Sequence, residues 1–123
     1  MEQHEIEKLN AQFANSTPEE VVGYFINRYG NKIALSSSLG AEDQVLTHIV
    51  WTINSQTTVF TLDTGRLFPE TYDLIDRTSK KYKNQIKVYF PDSKKIETMV
   101  NEKGINLFYN SVENRKLCCH LRK

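Results

Sequence analysis

The sequence predicts an α/β fold on an open parallel sheet, and three observations predict it. Apolar, β-branched runs suited to strands stand at Ile33-Ala34-Leu35, at Thr57-Thr58-Val59-Phe60-Thr61-Leu62, and from Ile86 to Phe90. Stretches of helical period lie between them. Their regular alternation is the βαβ rhythm of a parallel sheet, in which each crossover is right-handed.

The elements follow in order. Residues 2–13 form a polar helix that reads as an N-terminal helical arm, residues 1–16, ahead of an α/β domain over residues 17–123. Thr17-Pro18-Glu19-Glu20 starts the next helix, with Thr17 as N-cap and Pro18 in the first helical position. Val21, Val22, Phe25, Ile26 and Tyr29 make its apolar stripe, and Gly30 ends it. Ile33 to Leu35 suits a strand buried on both faces. Ala41 to Ile53 reads as a helix with Val45, Leu46, Ile49, Val50 and Ile53 inward. After the second strand comes a helix from Pro69 to Tyr82. After the third strand Asp92 or Ser93 caps a helix carrying Ile96, Met99 and Val100 and closed by Gly104. Beyond Gly104 the pattern turns irregular.

Composition narrows the function classes. The 123 residues suffice for one core, and 39% hydrophobic with 25% charged content is that of a soluble globular protein. A formal charge of +1 gives no general drive toward nucleic acid or membrane, and no apolar run could span a bilayer. The acidic start, Met1-Glu2-Gln3-His4-Glu5, is unlike a signal peptide, so a cytoplasmic location is expected.

The chain closes on Cys118-Cys119-His120-Leu121-Arg122-Lys123. Adjacent Cα atoms stand about 3.8 Å apart, short of the usual disulfide span, so a bridge between them would be strained. Two soft thiolates suit an iron–sulfur cluster better, but the chain holds no other cysteine to complete one. A Cys-Cys-His zinc site is disfavoured, because adjacent donors do not easily take tetrahedral corners without a spaced fourth ligand. The final basic pair carries no stop signal, which reads as the N-terminal part of a longer protein.

Ligands of open α/β sheets sit at the carboxyl ends of the strands. The first segment there is Ser36-Ser37-Ser38-Leu39-Gly40-Ala41-Glu42-Asp43. Its hydroxyls, glycine and helix-start N–H groups could cradle a tetrahedral anion. Equally, it could be a serine-rich turn with Ser38 as N-cap and Asp43 complementing the helix dipole. The second is Leu62-Asp63-Thr64-Gly65-Arg66-Leu67-Phe68-Pro69-Glu70-Thr71-Tyr72. Gly65 permits positive φ or close approach, and Arg66 could hold a phosphate. The plainer reading is a capped strand-to-helix turn in which Asp63 bonds its own backbone.

Taken together, these two segments and the Cys118-Cys119…Arg122-Lys123 ending resemble the adenylyl-sulfate / phosphoadenylyl-sulfate reductases of assimilatory sulfate reduction, over roughly residues 30–123. The resemblance implies an adenine-nucleotide α-hydrolase-like (PP-loop-like) fold, a parallel sheet with helices on both faces, incomplete at the C-terminus. It implies a nucleotide-binding role for the domain over 17–123. Ser36, Ser37, Ser38 and Gly40 would meet the phosphosulfate; Leu62, Asp63, Thr64 and Gly65 would meet the adenosine, with Arg66 nearby. Cys118 and Cys119 would be ligands of a [4Fe–4S] cluster, which favours adenylyl sulfate (APS) over its 3′-phosphorylated form (PAPS). Lys123 would lie between cluster and substrate, with Arg122 a structural or phosphate-facing neighbour. The family's nucleophilic cysteine, in a Glu-Cys-Gly segment, has no match here, so these residues alone are expected to be inactive. Thioredoxin or glutaredoxin would be the reductant, and the resemblance allows a homo-oligomer.

Two other classes compete. A PP-loop ATP pyrophosphatase or ligase would carry a Ser-Gly-Gly-x-Asp-Ser loop, where this chain reads Leu39-Gly40-Ala41-Glu42-Asp43-Gln44. A non-catalytic nucleotide-binding module is the other. His48 reads as a solvent-side residue, Trp51 as packing, and Lys80-Lys81-Tyr82-Lys83 as a solvated helix end.

Overall fold

The computed structural model describes residues 1–123. Six helices and three strands alternate: α1 (Gln3–Phe13), α2 (Pro18–Tyr29), β1 (Ala34–Ser36), α3 (Ala41–Ile53), β2 (Thr58–Leu62), α4 (Pro69–Tyr82), β3 (Lys87–Tyr89), α5 (Ser93–Lys103) and α6 (Val112–Arg122). The strands form one parallel sheet in the order β1-β2-β3, flanked by helices, as the βαβ rhythm requires. β2 and β3 pair with Phe60 opposite Lys87, Thr61 opposite Val88 and Leu62 opposite Tyr89. No helix is long and apolar enough to cross a membrane. The chain forms two compact units, Met1–Val59 and Phe60–Lys123, divided within β2.

In the first unit, Thr17 caps α2 by accepting from the Glu20 N–H at 3.2 Å, with Pro18 in the first turn. Gly30 closes α2 at φ 54°. α1 is tied to α2 by an ion pair between Glu5 and Arg28 and by an edge-to-face contact of Phe13 on Tyr24. α3 departs from its expected inward face. Val45 and Ile53 are 60% and 38% exposed, whereas Thr47 and Trp51 are buried beside Ile49 and Val50. Thr47 can be buried because its hydroxyl donates to the Asp43 carbonyl at 2.8 Å, and Trp51 because its indole N–H donates to the Thr57 carbonyl at 3.0 Å. β1 is not buried on both faces. Leu35 is half-buried and Ala34 and Ser36 are exposed, so one face only is covered.

In the second unit, α4 buries Ile75 and Thr78, and Ile86 before β3 is 1% exposed. Asp92 caps α5 by accepting from the Lys94 N–H, and Gly104 ends that helix at φ 96°. The irregular stretch after Gly104 is ordered: a 3-10 turn over Leu107–Tyr109 leads into α6, capped by Ser111, which accepts from the Asn114 N–H at 3.0 Å. Leu107, Met99 and Cys118 form a buried cluster, with Ile96, Val100, Phe108, Leu117 and Leu121 packed around it. This packing orders α6 despite its polar first half, since tertiary burial outweighs propensity in a short helix.

Candidate functional site

Three segments hold the residues with chemistry. The first follows β1. Ser36 is exposed; Ser37 is buried, and its hydroxyl accepts from the Leu39 N–H at 3.0 Å. Ser38 donates to one carboxylate oxygen of Asp43 through both its N–H, at 2.6 Å, and its hydroxyl, at 2.7 Å. These two bonds hold the Asp43 carboxyl below its usual range, the hydroxyl contributing most and the main-chain N–H next. The turn requires Leu39 at φ 63°, where a side chain other than glycine is strained, and burial of that side chain compensates.

The N-cap of α3 is therefore Gly40, not Ser38. Gly40 occupies the N-cap position without a side-chain cap, and a Cβ there would stand 3.2 Å from the Ser38 hydroxyl. The serines are largely committed to the loop itself. An anion would meet the helix-start N–H groups and Ser36. It would also meet the two acidic residues of the first turn, Glu42 and Asp43.

The second segment follows β2. The Asp63 N–H donates to the Tyr89 carbonyl at 2.9 Å, which continues the β2–β3 pairing. Asp63 is 5% exposed, and one of its oxygens accepts from the Gly65 N–H at 2.7 Å and from the Tyr72 hydroxyl at 2.9 Å. That second bond holds the Tyr72 phenol above the usual tyrosine range. Gly65, at φ 79°, makes the turn. Arg66 is spoken for: it donates to the Ile105 carbonyl at 3.0 Å and to Asn106 Oδ1 at 3.1 Å, and stacks over Phe108. Leu62 is exposed and Thr64 half-buried, its carbonyl accepting from Arg122 Nη1 at 2.8 Å. The turn is thus held in shape by side chains from α4, the 3-10 turn region and α6.

The third segment is α6. Cys118 is buried and Cys119 exposed, because neighbours on a helix point about 100° apart. Lys123, at the helix end, is exposed. No group of three or more His, Cys, Asp and Glu side chains gathers to hold a metal ion. For a [4Fe–4S] cluster the donors have the right chemistry and the wrong number, since two thiols are half a ligand set. Sequence reasoning missed helix α6 itself and gave no role to Tyr72 or Asn106. The Ser111 cap and the apolar positions Leu117, Cys118 and Leu121 were the available signals for the helix.

Comparison with known proteins gives the family. Residues 32–123 match the phosphoadenosine phosphosulfate reductase domain. An adenosine 5′-phosphosulfate reductase of Burkholderia cepacia is 43% identical over 93 residues, covering 76% of this chain and 37% of that protein. One from Pseudomonas aeruginosa is 38% identical over 115 residues, 94% of this chain and 42% of that protein. A chloroplastic 5′-adenylylsulfate reductase of Arabidopsis thaliana is 37% identical over 123 residues, 100% of this chain and 26% of that protein. The chain thus spans about two fifths of these bacterial relatives and a quarter of the plant one. Its fold matches a crystal structure of phosphoadenylyl-sulfate (PAPS) reductase from Candida auris in phosphate complex. The TM-score is 0.81 at 23% identity, over 100% of this chain and 59% of that one.

Proposed function

The chain belongs to the phosphoadenosine phosphosulfate reductase domain family, and from that premise we propose that the full-length protein reduces adenylyl sulfate to sulfite and AMP. Residues 17–123 are its nucleotide-binding part, preceded by the arm over residues 1–16. The observation that carries the reading is the turn after β2. A buried carboxylate and two arginines fix the main chain of Asp63–Arg66, and a prearranged backbone is what recognition of a nucleoside by main-chain groups needs. Leu62, Asp63, Thr64 and Gly65 receive the adenosine. Arg66 acts there by bracing the turn, since Nη1 and Nη2 are hydrogen-bonded to Ile105 and Asn106. The loop of Ser36, Ser37, Ser38 and Gly40 receives the phosphosulfate through Ser36 and the helix-start N–H groups.

The nucleophile in this proposal is a cysteine outside these 123 residues. Its thiolate attacks the sulfur of the phosphosulfate, the S–O bond to AMP breaks, and AMP leaves with the electron pair. The resulting enzyme S-sulfonate is reduced by the two electrons of a thioredoxin or glutaredoxin dithiol, which frees sulfite and restores the thiol. Cys118 and Cys119 supply two thiolates to a [4Fe–4S] cluster whose other two ligands come from elsewhere, and Lys123 stands beside it. A cytoplasmic location belongs to the same proposal.

The test is thioredoxin-dependent sulfite release from APS and from PAPS by the full-length protein purified without oxygen, with iron and acid-labile sulfide measured alongside. Sulfite from APS and about four irons per chain are expected. Sulfite from PAPS alone would assign the other substrate. No sulfite from either nucleotide would reject the reductase reading.

A further inference from the structure

Arg122 is a buried arginine without a carboxylate partner. It is 7% exposed, and none of the ion pairs of the molecule includes it. Its Nε is buried with no hydrogen-bond partner, while Nη1 donates to the carbonyl of Thr64, 58 residues earlier, at 2.8 Å. An arginine near a helix end can ordinarily carry its guanidinium to water on a long apolar stem. This one turns inward instead, and accepts the desolvation of a cation for one main-chain bond. The contact is close as well as polar: a Cβ on Gly65 would stand 3.0 Å from Nη1. The guanidinium therefore lies against the bare main chain of Gly65, in space that any side chain at that position would take.

The other ties of the turn reach α4 and, through Arg66 stacked over Phe108, the edge of the Cys118 cluster, but neither bonds to α6 itself. Asp63 joins it to Tyr72 on α4, and Arg66 joins it to Ile105 and Asn106. Arg122 brings it to α6, four residues and about one helical turn beyond Cys118, on the same buried face. We propose that Arg122 is a positioning residue that couples the Asp63–Arg66 turn to the helix bearing Cys118 and Cys119. A shift in the turn's backbone is then transmitted to the cysteine pair, and the reverse. The consequence for ligand binding rests on the nucleotide reading given above; the mechanical coupling does not.

Hydrogen exchange on the full-length protein tests it, with Arg122→Met, Arg122→Lys and Gly65→Ala beside wild type, each with and without AMP. Without AMP, Arg122→Met should speed exchange at residues 62–67 about fivefold and leave α4 unchanged. Gly65→Ala should in turn speed exchange at residues 117–122, and Arg122→Lys should fall between Arg122→Met and wild type. With AMP bound, exchange at 117–122 should slow in wild type and slow clearly less in Arg122→Met at saturating nucleotide. Exchange at 62–67 in Arg122→Met within about twofold of wild type would overturn the coupling. So would an equal rise across every peptide, which marks plain core destabilisation. Should Arg122→Met fail to fold, Arg122→Lys and Gly65→Ala carry the same comparison. If AMP does not bind wild type, the nucleotide reading of the turn fails, and the AMP-free exchange still decides the coupling.

Discussion

Truncating Leu107 should release the thiol of Cys118. Leu107 is 0% exposed and packs with Met99 against Cys118, which is itself 6% exposed, while Cys119 faces solvent. A Leu→Ala change at such a site costs about 2–5 kcal/mol in lost transfer energy and cavity formation. Cys118 can meet a reagent only when this packing opens, so its rate follows the free energy of local opening. Lowering that cost by about 2 kcal/mol raises the rate about 30-fold, at 1.4 kcal/mol per factor of ten. At the upper end of the range the cluster would no longer be closed, and Cys118 would react as fast as Cys119. Leu107→Met, which keeps volume, should cost under about 1.5 kcal/mol and speed the thiol no more than about tenfold. The assay is the DTNB reaction of the reduced, iron-free 123-residue chain carrying Cys119→Ser, with Cys118→Ser as the fast reference. A Leu107→Ala rate within about threefold of its parent would refute the assignment of Cys118 to this packed cluster.

Two further outcomes follow from the turns. Asp43 has a depressed folded pKa, so the stability it contributes is present above the ordinary carboxylate range and is lost as pH falls through its folded value. Asp43→Asn should be less stable than wild type at neutral pH, and the gap should close below about pH 4; a gap in urea midpoints that widens on acidification would contradict the Ser38–Asp43 bonds. At Asp63, the bond from the Gly65 N–H to a charged acceptor is worth about 1.5–3 kcal/mol, and an amide oxygen keeps about half of it. Urea midpoints should therefore run wild type, Asp63→Asn, Asp63→Ala in falling order, with the Tyr72 phenol titrating lower in Asp63→Ala than in wild type. Asp63→Ala as stable as wild type would mean that the burial cost of the carboxylate cancels its hydrogen bonds.

Signals confined to three or four residues were legible in the sequence. Thr17, Pro18 and Glu20 start α2, Asp92 starts α5, and Gly30 and Gly104 close helices, because caps join main-chain and side-chain groups of near neighbours. The βαβ order was legible for a similar reason, since period and length separate strands from helices. Faces were harder. Val45 and Ile53 were expected inward on α3 and are exposed, because an apolar stripe marks what can be buried and the neighbours decide what is covered. Ser38 offered itself as an N-cap, but the positive φ of Leu39 carries it onto Asp43 and leaves the cap to Gly40. α6 was hidden by the polar run Val112-Glu113-Asn114-Arg115-Lys116 and is ordered by Leu107 and Met99 beneath it.

The sequence by itself determined the fold class, most element boundaries and the two strand-end turns, all of which rest on local period, capping and turn chemistry. The tertiary structure alone decided which groups in those turns are free. Arg66 reaches Asn106 across 40 residues and Arg122 reaches Thr64 across 58. Partners so distant are brought together only by the packing of the folded unit, which sets the two chain segments side by side. No spacing along the chain records that choice.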